Sequence, residues 1–381
     1  MKKHLLLDCS FIRSDNFLGI SLSLYVGRLL QGYKNNEFFD VTVLVWKRYE
    51  SYIDELAGYA VPKIVIDGHP HVTPWVPVDK LLGLVPFKRE LIDREIEVVL
   101  SPYHFGCSFS FPRKYHHHVV VHDLFLHDQV RELMGSKYKY LIWRLYHSLL
   151  SKKVSQFISI SDETRKELKR IDGIDSIVVY NSIPFDYSIK EEIVREIKGR
   201  KYILDVNSLE KRKNTETLVN AYYLVKDKIP HVLYIKGDKN HVEEYEQLMK
   251  IVSDKNISDR VIIDCTYRSE GEMRYLYSHA DLFVSPSLKE GFGWTPIEAA
   301  ILKVPVLVSD IDIFQEVTCN KVPLFNPHSS GELAVKMVEI LKNPPSIETC
   351  EELSKFYLER YSLKRQIERM TEVLLQECSD N

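Results

Sequence analysis

The chain has 381 residues, 45% of them hydrophobic and 28% charged, and a net charge of −3. That balance fits a globular protein of two or three domains, and the near-neutral charge argues against a nucleic-acid partner. Six cysteines (Cys9, Cys107, Cys265, Cys319, Cys350 and Cys378) are scattered without a C-x-x-C pair, so reduced, packed thiols in a cytoplasmic protein are expected.

The chain opens with MKKHLLLDCSF. Three leucines before Asp8 are too few for a signal peptide, and no later run of ~18 apolar residues suggests a membrane helix. Short runs rich in Val, Ile and Leu then recur: HLLLDCS, VTVLV, KIVID, EVVLSP, HVVVHD, QFISIS and SIVVYN. Helical patterns lie between several of them, the first beginning GISLSLYVGRLLQGY. Near-continuous apolar strands alternating with helices predict a parallel sheet covered on both faces. His116, His117 and His118 precede the fifth run and read as an exposed turn, not a metal site, because neighbours in an extended chain point to opposite faces.

The segment 135–157, GSKYKYLIWRLYHSLLSKKVSQF, mixes basic and aromatic residues at helical spacing. It reads as an amphipathic helix packed on the first domain; the alternative is a helix lying on an anionic membrane surface. After Asn181 the texture turns polar, and residues 182–201 read as a connector carrying a helix. A second series follows: KYILDV, HVLYIKG, RVIIDC, DLFVSPS and VPVLVSD. Two doubly wound α/β domains are therefore predicted, and the cleft between them is the natural place for a ligand, at the carboxyl ends of the strands. The chain closes on a long helical tail from Ser346.

The stretch SPSLKEGFGWTPIEAA, residues 285–300, carries the densest chemistry. It runs from a strand through a glycine loop into a helix. Thr295 as N-cap, Pro296 at the first helical position and Glu298 two residues further on form a capping-box pattern. Gly291 and Gly293 would let backbone N–H groups approach an anion at the helix end. Beside such a site Glu290 and Glu298 suit neutral donors such as sugar hydroxyls. Earlier, Arg212 and Lys213 stand ahead of a helix with Asn214 as its expected N-cap, two cations where a diphosphate would bind. His122 ends an apolar strand, where a histidine serves either packing or chemistry. Asp310 and Asp312 are spaced as some metal-binding aspartates are, but they follow VPVLV and read as turn and cap residues.

EGFGWTPIE resembles the signature of family 4 glycosyltransferases, retaining enzymes with two Rossmann-like domains facing a central cleft, the arrangement called GT-B. LLLDCSF with GISLSLYVGRLL, VVVHDLF, FISISDETRKEL, VVYNSIPF, SLEKRKNTETLVNAY and ILKVPVLVSDIDIFQEV resemble the family's other segments in the family's order. The resemblance implies an acceptor-side domain over 1–187, a nucleotide-sugar domain over 188–355 and a tail, 356–381, crossing back to the first. It implies that Glu290 accepts from the donor sugar's hydroxyls, that the backbone amides of Phe292, Gly293 and Trp294 surround sugar and phosphates, and that Gly291 and Thr295 belong to the same substrate-binding loop. Glu298 would bind the ribose, Lys213 and Arg212 the diphosphate, His122 the sugar near its reacting carbon, and Gly19 would belong to the acceptor-side glycine loop. Ser208 stands where the family usually has an arginine.

The implied function is transfer of a hexose, of mannose or glucose type, from a nucleoside-diphosphate sugar to a hydroxyl of a growing glycan or lipid-linked acceptor, in cell-surface polysaccharide biosynthesis. No metal or other cofactor is expected, nor any nucleic acid; the location would be cytoplasmic, with peripheral contact at the inner face of the membrane as a further expectation. The alternatives are a catalytically weak sugar-nucleotide-binding subunit and an epimerase or phosphorylase on the same architecture.

Overall fold

The computed structural model describes residues 2–12, 20–66, 94–103, 115–124, 148, 151–152, 154–183, 187–238 and 240–376. Gly19, Cys107, Cys378 and most of the segment 135–157 lie outside them. The chain divides into two units, Met1–Pro184 with Leu363–Asn381, and Phe185–Ser362. The sequence reading has its boundaries at 187/188 and 355/356.

In the first unit the seven apolar runs are seven strands: β1 (Lys3–Asp8), β2 (Phe39–Trp46), β3 (Lys63–Ile66), β4 (Val98–Ser101), β5 (His116–Val121), β6 (Gln156–Ser159) and β7 (Ser176–Val178). They form one sheet in the order β3-β2-β1-β4-β5-β6-β7, and the paired strands are parallel. β1 is an interior strand, with Leu5 opposite Val41 on one side and Val98 on the other. Leu5, Leu6 and Leu7 are all fully buried, which is why this strand reads as a continuous apolar run rather than an alternating one.

Helix α1 (Ile20–Tyr33) follows β1, and α2 (Glu50–Ala57) follows β2. Helix α3 (Asp162–Asp172) is capped by Ser161, whose side chain accepts from the Thr164 N–H, and ends on Gly173 in the left-handed region.

The histidine run departs from expectation. It is the start of β5, and His117 and His118 are buried. The His117 ring reaches Ser101 Oγ at 2.9 Å, and that hydroxyl donates in turn to Asp8 Oδ2 at 3.3 Å. The burial of His117 is offset by this hydrogen-bond chain across the sheet.

The second unit holds β8 (Tyr202–Val206), β9 (Val232–Lys236), β10 (Val261–Asp264), β11 (Leu282–Ser285), β12 (Val306–Ser309) and the two-residue β13 (Leu324–Phe325). They form a second sheet of parallel pairs in the order β10-β9-β8-β11-β12-β13. Its helices are α4 (Thr215–Val225), α5 (Val242–Asp254), α6 (Glu270–Ser278), α7 (Trp294–Ile301), α8 (Asp312–Thr318), α9 (Ser330–Lys342) and α10 (Ile347–Arg360). Leu218 and Tyr222 of α4, Leu333 and Met337 of α9, and Ile203, Leu233 and Leu282 of the sheet share one buried core.

Residues 187–201 hold a single 3₁₀ turn, Arg195–Ile197, instead of the expected helix. Arg274 of α6 holds this connector through its bonds to the Ile189 and Tyr187 carbonyls. The long tail is two helices. α10 ends where the Tyr361 hydroxyl donates to the Val317 carbonyl at 2.6 Å. α11 (Leu363–Gln376) then packs on α1 in the first unit. Gly32 of α1 makes that approach possible, since a Cβ there would overlap Ile367 of α11.

Candidate functional site

In the second sheet β8 pairs with β9 on one side and with β11 on the other. The chain leaves β8 toward β9 and later returns to β11, so the loops after β8 and β11 part at a topological switch point. Open parallel sheets bind ligands in the crevice that such a point creates. Lys213 and Arg212 lie on the first of these loops, and Glu290 and Gly293 on the second.

The β8 loop is held in an uncommon conformation. Leu209 and Asn214 both sit in the left-handed region, at φ 59° and 56°, which costs a non-glycine residue about 1 kcal/mol or more. Local bonds offset this. The Asn207 side chain accepts from the Leu209 N–H at 2.6 Å and donates to Asp205 Oδ2 at 2.6 Å and to Thr215 Oγ1 at 3.1 Å. Asn214 does not cap α4 with its side chain as expected. It donates instead to the carbonyls of Pro286 and Pro327, both at 2.9 Å, and so ties the β8 loop to the β11 loop. The Leu288 N–H adds a bond to the Arg212 carbonyl at 2.7 Å.

These ties bring the predicted charges together. Lys213 Nζ lies 2.6 Å from Glu290 Oε1, and Arg212 Nη1 lies 3.0 Å from Glu290 Oε2. The Ser287 hydroxyl donates to Glu290 Oε1 at 2.7 Å. Glu290 keeps only 9% of its side-chain surface. Burial alone would push its carboxyl up, but Lys213, then Arg212, more than offset that and hold it below the usual range. Arg212 is also forked onto Glu210, with Nε to Oε2 at 2.8 Å and Nη2 to Oε1 at 2.9 Å. Beneath the cluster Asp205 is fully buried, and burial raises its pKa to about 8 against the pull of Lys213.

The second glutamate departs from its capping pattern. α7 starts at Trp294, after Gly293 at φ 82°, and no side chain caps it. Thr295 and Pro296 therefore lie inside the first turn, and Glu298 is one position beyond that turn. Its Oε2 accepts from the Tyr277 hydroxyl at 2.8 Å. Burial pushes its pKa up to about 7, with the Tyr277 bond pulling down. Phe292 is buried edge-on against Tyr361, and Trp294 lies beside it. Gly291 precedes them, half-buried.

The remaining predicted residues stand elsewhere. His122 follows β5 in the first unit, with its Nε2 2.8 Å from the Pro102 carbonyl and its ring edge-on to Tyr25. Because a carbonyl only accepts, Nε2 carries the proton. Burial lowers the ring's pKa to about 4, so it is neutral near pH 7. Gly19 lies outside the described residues. Asp310 accepts from Gln315 Nε2 at 2.6 Å, and Asp312 begins α8. Among the described residues no three His, Cys, Asp or Glu side chains are grouped to hold a metal ion. Glu210, Ser287, Tyr277 and Asp205 are the site's neighbours that pattern reasoning missed. Only Glu210 carried a signal, as a carboxylate two residues before Arg212.

Two parallel-sheet α/β units with an acid–base cluster at the second sheet's switch point define a GT-B protein. Sucrose-phosphate synthase of Thermosynechococcus elongatus shares this fold, with a TM-score of 0.71 at 16% identity over the whole of both chains. HepE of Anabaena, solved in complex with UDP and glucose, has a TM-score of 0.72 at 15% identity, over 98% of this chain and 99% of that one. The family model of the glycosyl transferases group 1 matches residues 187–357. It is similar to the O-antigen chain mannosyltransferase RfbU of Salmonella typhimurium, 28% identical over 198 residues, or 50% of this chain and 52% of that one. A serotype-specific mannosyltransferase WbdA of Escherichia coli is 30% identical over 181 residues, 45% of this chain and 22% of that one. The chain thus spans about half the length of the first relative and about a fifth of the second.

Proposed function

We propose that this protein is a retaining hexosyltransferase that moves a sugar of mannose or glucose type from a nucleoside diphosphate to a hydroxyl of a growing glycan or lipid-linked acceptor, in cell-surface polysaccharide synthesis. The observation that carries the reading is the meeting of Lys213, Arg212 and Glu290 at the β8–β11 switch point. The family-model match and the similarity to mannosyltransferases support it. They favour it over a weakly active binding subunit or an epimerase.

The leaving group is a diphosphate whose charge grows as the glycosidic C–O bond breaks. Lys213 and Arg212 would neutralise that charge in a partly desolvated setting, and the N-terminus of α7 would add positive potential. Glu290, ionised at neutral pH, would accept from the sugar's hydroxyls once the diphosphate takes over its cations. Glu298 would bind the ribose through the edge that Tyr277 leaves open. His122 would bond the sugar near the reacting carbon. Attack from the face the diphosphate leaves, with a departing phosphate oxygen taking the acceptor's proton, preserves the anomeric configuration. No other cofactor is required.

We further infer a cytoplasmic location with peripheral contact at the membrane's inner face. No helix among the described residues is long and apolar enough to cross a membrane. A thermal-shift screen with UDP, GDP, dTDP and ADP sugars tests the reading, since a bound ligand stabilises by RT ln(1 + [L]/Kd). One nucleotide class should raise Tm well above the others; no response to any of the four would refute it.

A further inference from the structure

Resting on that reading, we propose that Glu210 is a positioning residue of the diphosphate site: braced by Ser208, it keeps the Arg212 guanidinium in its binding pose when Glu290 turns to the sugar. The guanidinium uses two edges in this structure. Its Nε/Nη2 edge is forked onto Glu210 at 2.8 and 2.9 Å. Its Nη1 corner points the other way, to Glu290 at 3.0 Å and to the Lys289 carbonyl at 3.2 Å. If the diphosphate displaces Glu290, only the Nη1 corner changes partner. The fork remains, and two parallel N–H···O bonds fix a guanidinium plane in a way that one bond cannot.

Glu210 is itself held. The Ser208 hydroxyl donates to its Oε1 at 2.6 Å, and its carbonyl accepts from the Lys213 N–H at 2.8 Å, at the start of the 3₁₀ turn Lys211–Lys213. The same loop thus sets the backbone that presents Lys213 and the carboxylate that presents Arg212. Taken as a bare charge, Glu210 is in the wrong place, because an acid beside an anion site repels the ligand. This opposition supplies a sharp test: a positioning role and a mere charge predict opposite signs when Glu210 is removed.

The experiment is calorimetric titration of the full chain with UDP and with GDP, for wild type, Glu210→Gln, Glu210→Ala, Arg212→Ala and the double variant Glu210→Ala/Arg212→Ala. Melting temperatures are recorded alongside. Glu210→Ala should weaken binding of the preferred diphosphate about tenfold, and the isosteric Glu210→Gln, which keeps one acceptor, roughly threefold. In the Arg212→Ala background the same change should cost less than about twofold, because the effect passes through Arg212. Glu210 variants that stay folded and bind as tightly as wild type, or tighter, would overturn the inference alone. So would an undiminished loss in the Arg212→Ala background. A wild-type chain that binds neither these two nor dTDP and ADP would overturn the functional reading, and this inference with it.

Discussion

The ammonium of Lys213 lies 2.6 Å from a carboxylate oxygen of Glu290, across 77 positions of sequence. The group expected to hold the diphosphate is thus paired with the group expected to hold the sugar. On the proposed reading donor binding would exchange these partners. Glu290→Gln removes the competing charge from the two cations. The variant should bind a nucleoside diphosphate at least as tightly as wild type, yet transfer sugar on the order of a hundredfold more slowly, since the carboxylate is needed only once sugar is present. Parallel loss of nucleotide affinity and rate would contradict this division of roles.

Glu298 makes a prediction about pH. Its folded pKa, about 7, is raised above the ordinary carboxyl value by burial. The folded chain therefore holds a proton that the unfolded chain releases near pH 4.5. The stabilisation from this proton is complete below that pH and is lost as pH rises to about 7, on the order of 3 kcal/mol in all. Glu298→Gln should flatten the fall of Tm between pH 4.5 and 7 and raise Tm above pH 7, while weakening nucleotide binding several-fold. Glu290 has the opposite sign. Its depressed pKa gives stability that is present above about pH 4.5 and lost as pH falls through its folded value.

The sequence exposes the sheets well, because strands buried on both faces carry unbroken apolar runs. All seven strands of the first sheet, and β8 to β12 of the second, coincide with short Val-, Ile- or Leu-rich runs, although β3 alternates in burial and β7 is only half-buried. β13 has two residues and no run to read. Lys213 and Glu290 are legible as motif residues, but their direct contact is not, since it depends on Asn214 binding two distant carbonyls. The T-P-I-E pattern misleads for a physical reason. Gly293 at positive φ starts the helix at Trp294, so Thr295 falls inside the first turn and Glu298 turns inward to Tyr277. The histidine run misleads because composition suggests solvent, whereas Ser101 gives His117 a buried partner.

Gly293 should tolerate no side chain. Its φ is 82°, and a Cβ would lie 2.6 Å from the ring of Phe314, which is itself fully buried. Gly293→Ala should cost roughly 2–4 kcal/mol from left-handed strain and overpacking together, read as a drop in chemical-denaturation midpoint. An unchanged midpoint would mean that the loop has slack.

Metal independence follows from the proposed use of two cationic side chains on the diphosphate. Excess EDTA should leave transfer intact, and Asp310→Asn should be far milder than loss of Lys213. NMR of the product from an α-linked donor should show an α linkage. EDTA inactivation reversed by Mn²⁺ would transfer the charge-stabilising role to a metal, and a β product would exclude retention.

The most direct measurement is release of nucleoside diphosphate from the preferred sugar donor, in the presence of acceptor, by wild type and by Lys213→Ala at matched folded concentration. On the proposed reading Lys213 faces the growing charge of the leaving group, so its removal should lower kcat more than donor affinity, with kcat/KM falling on the order of a hundredfold or more. Equal rates for the two proteins would contradict the assignment of the β8–β11 switch point as the site of glycosyl transfer.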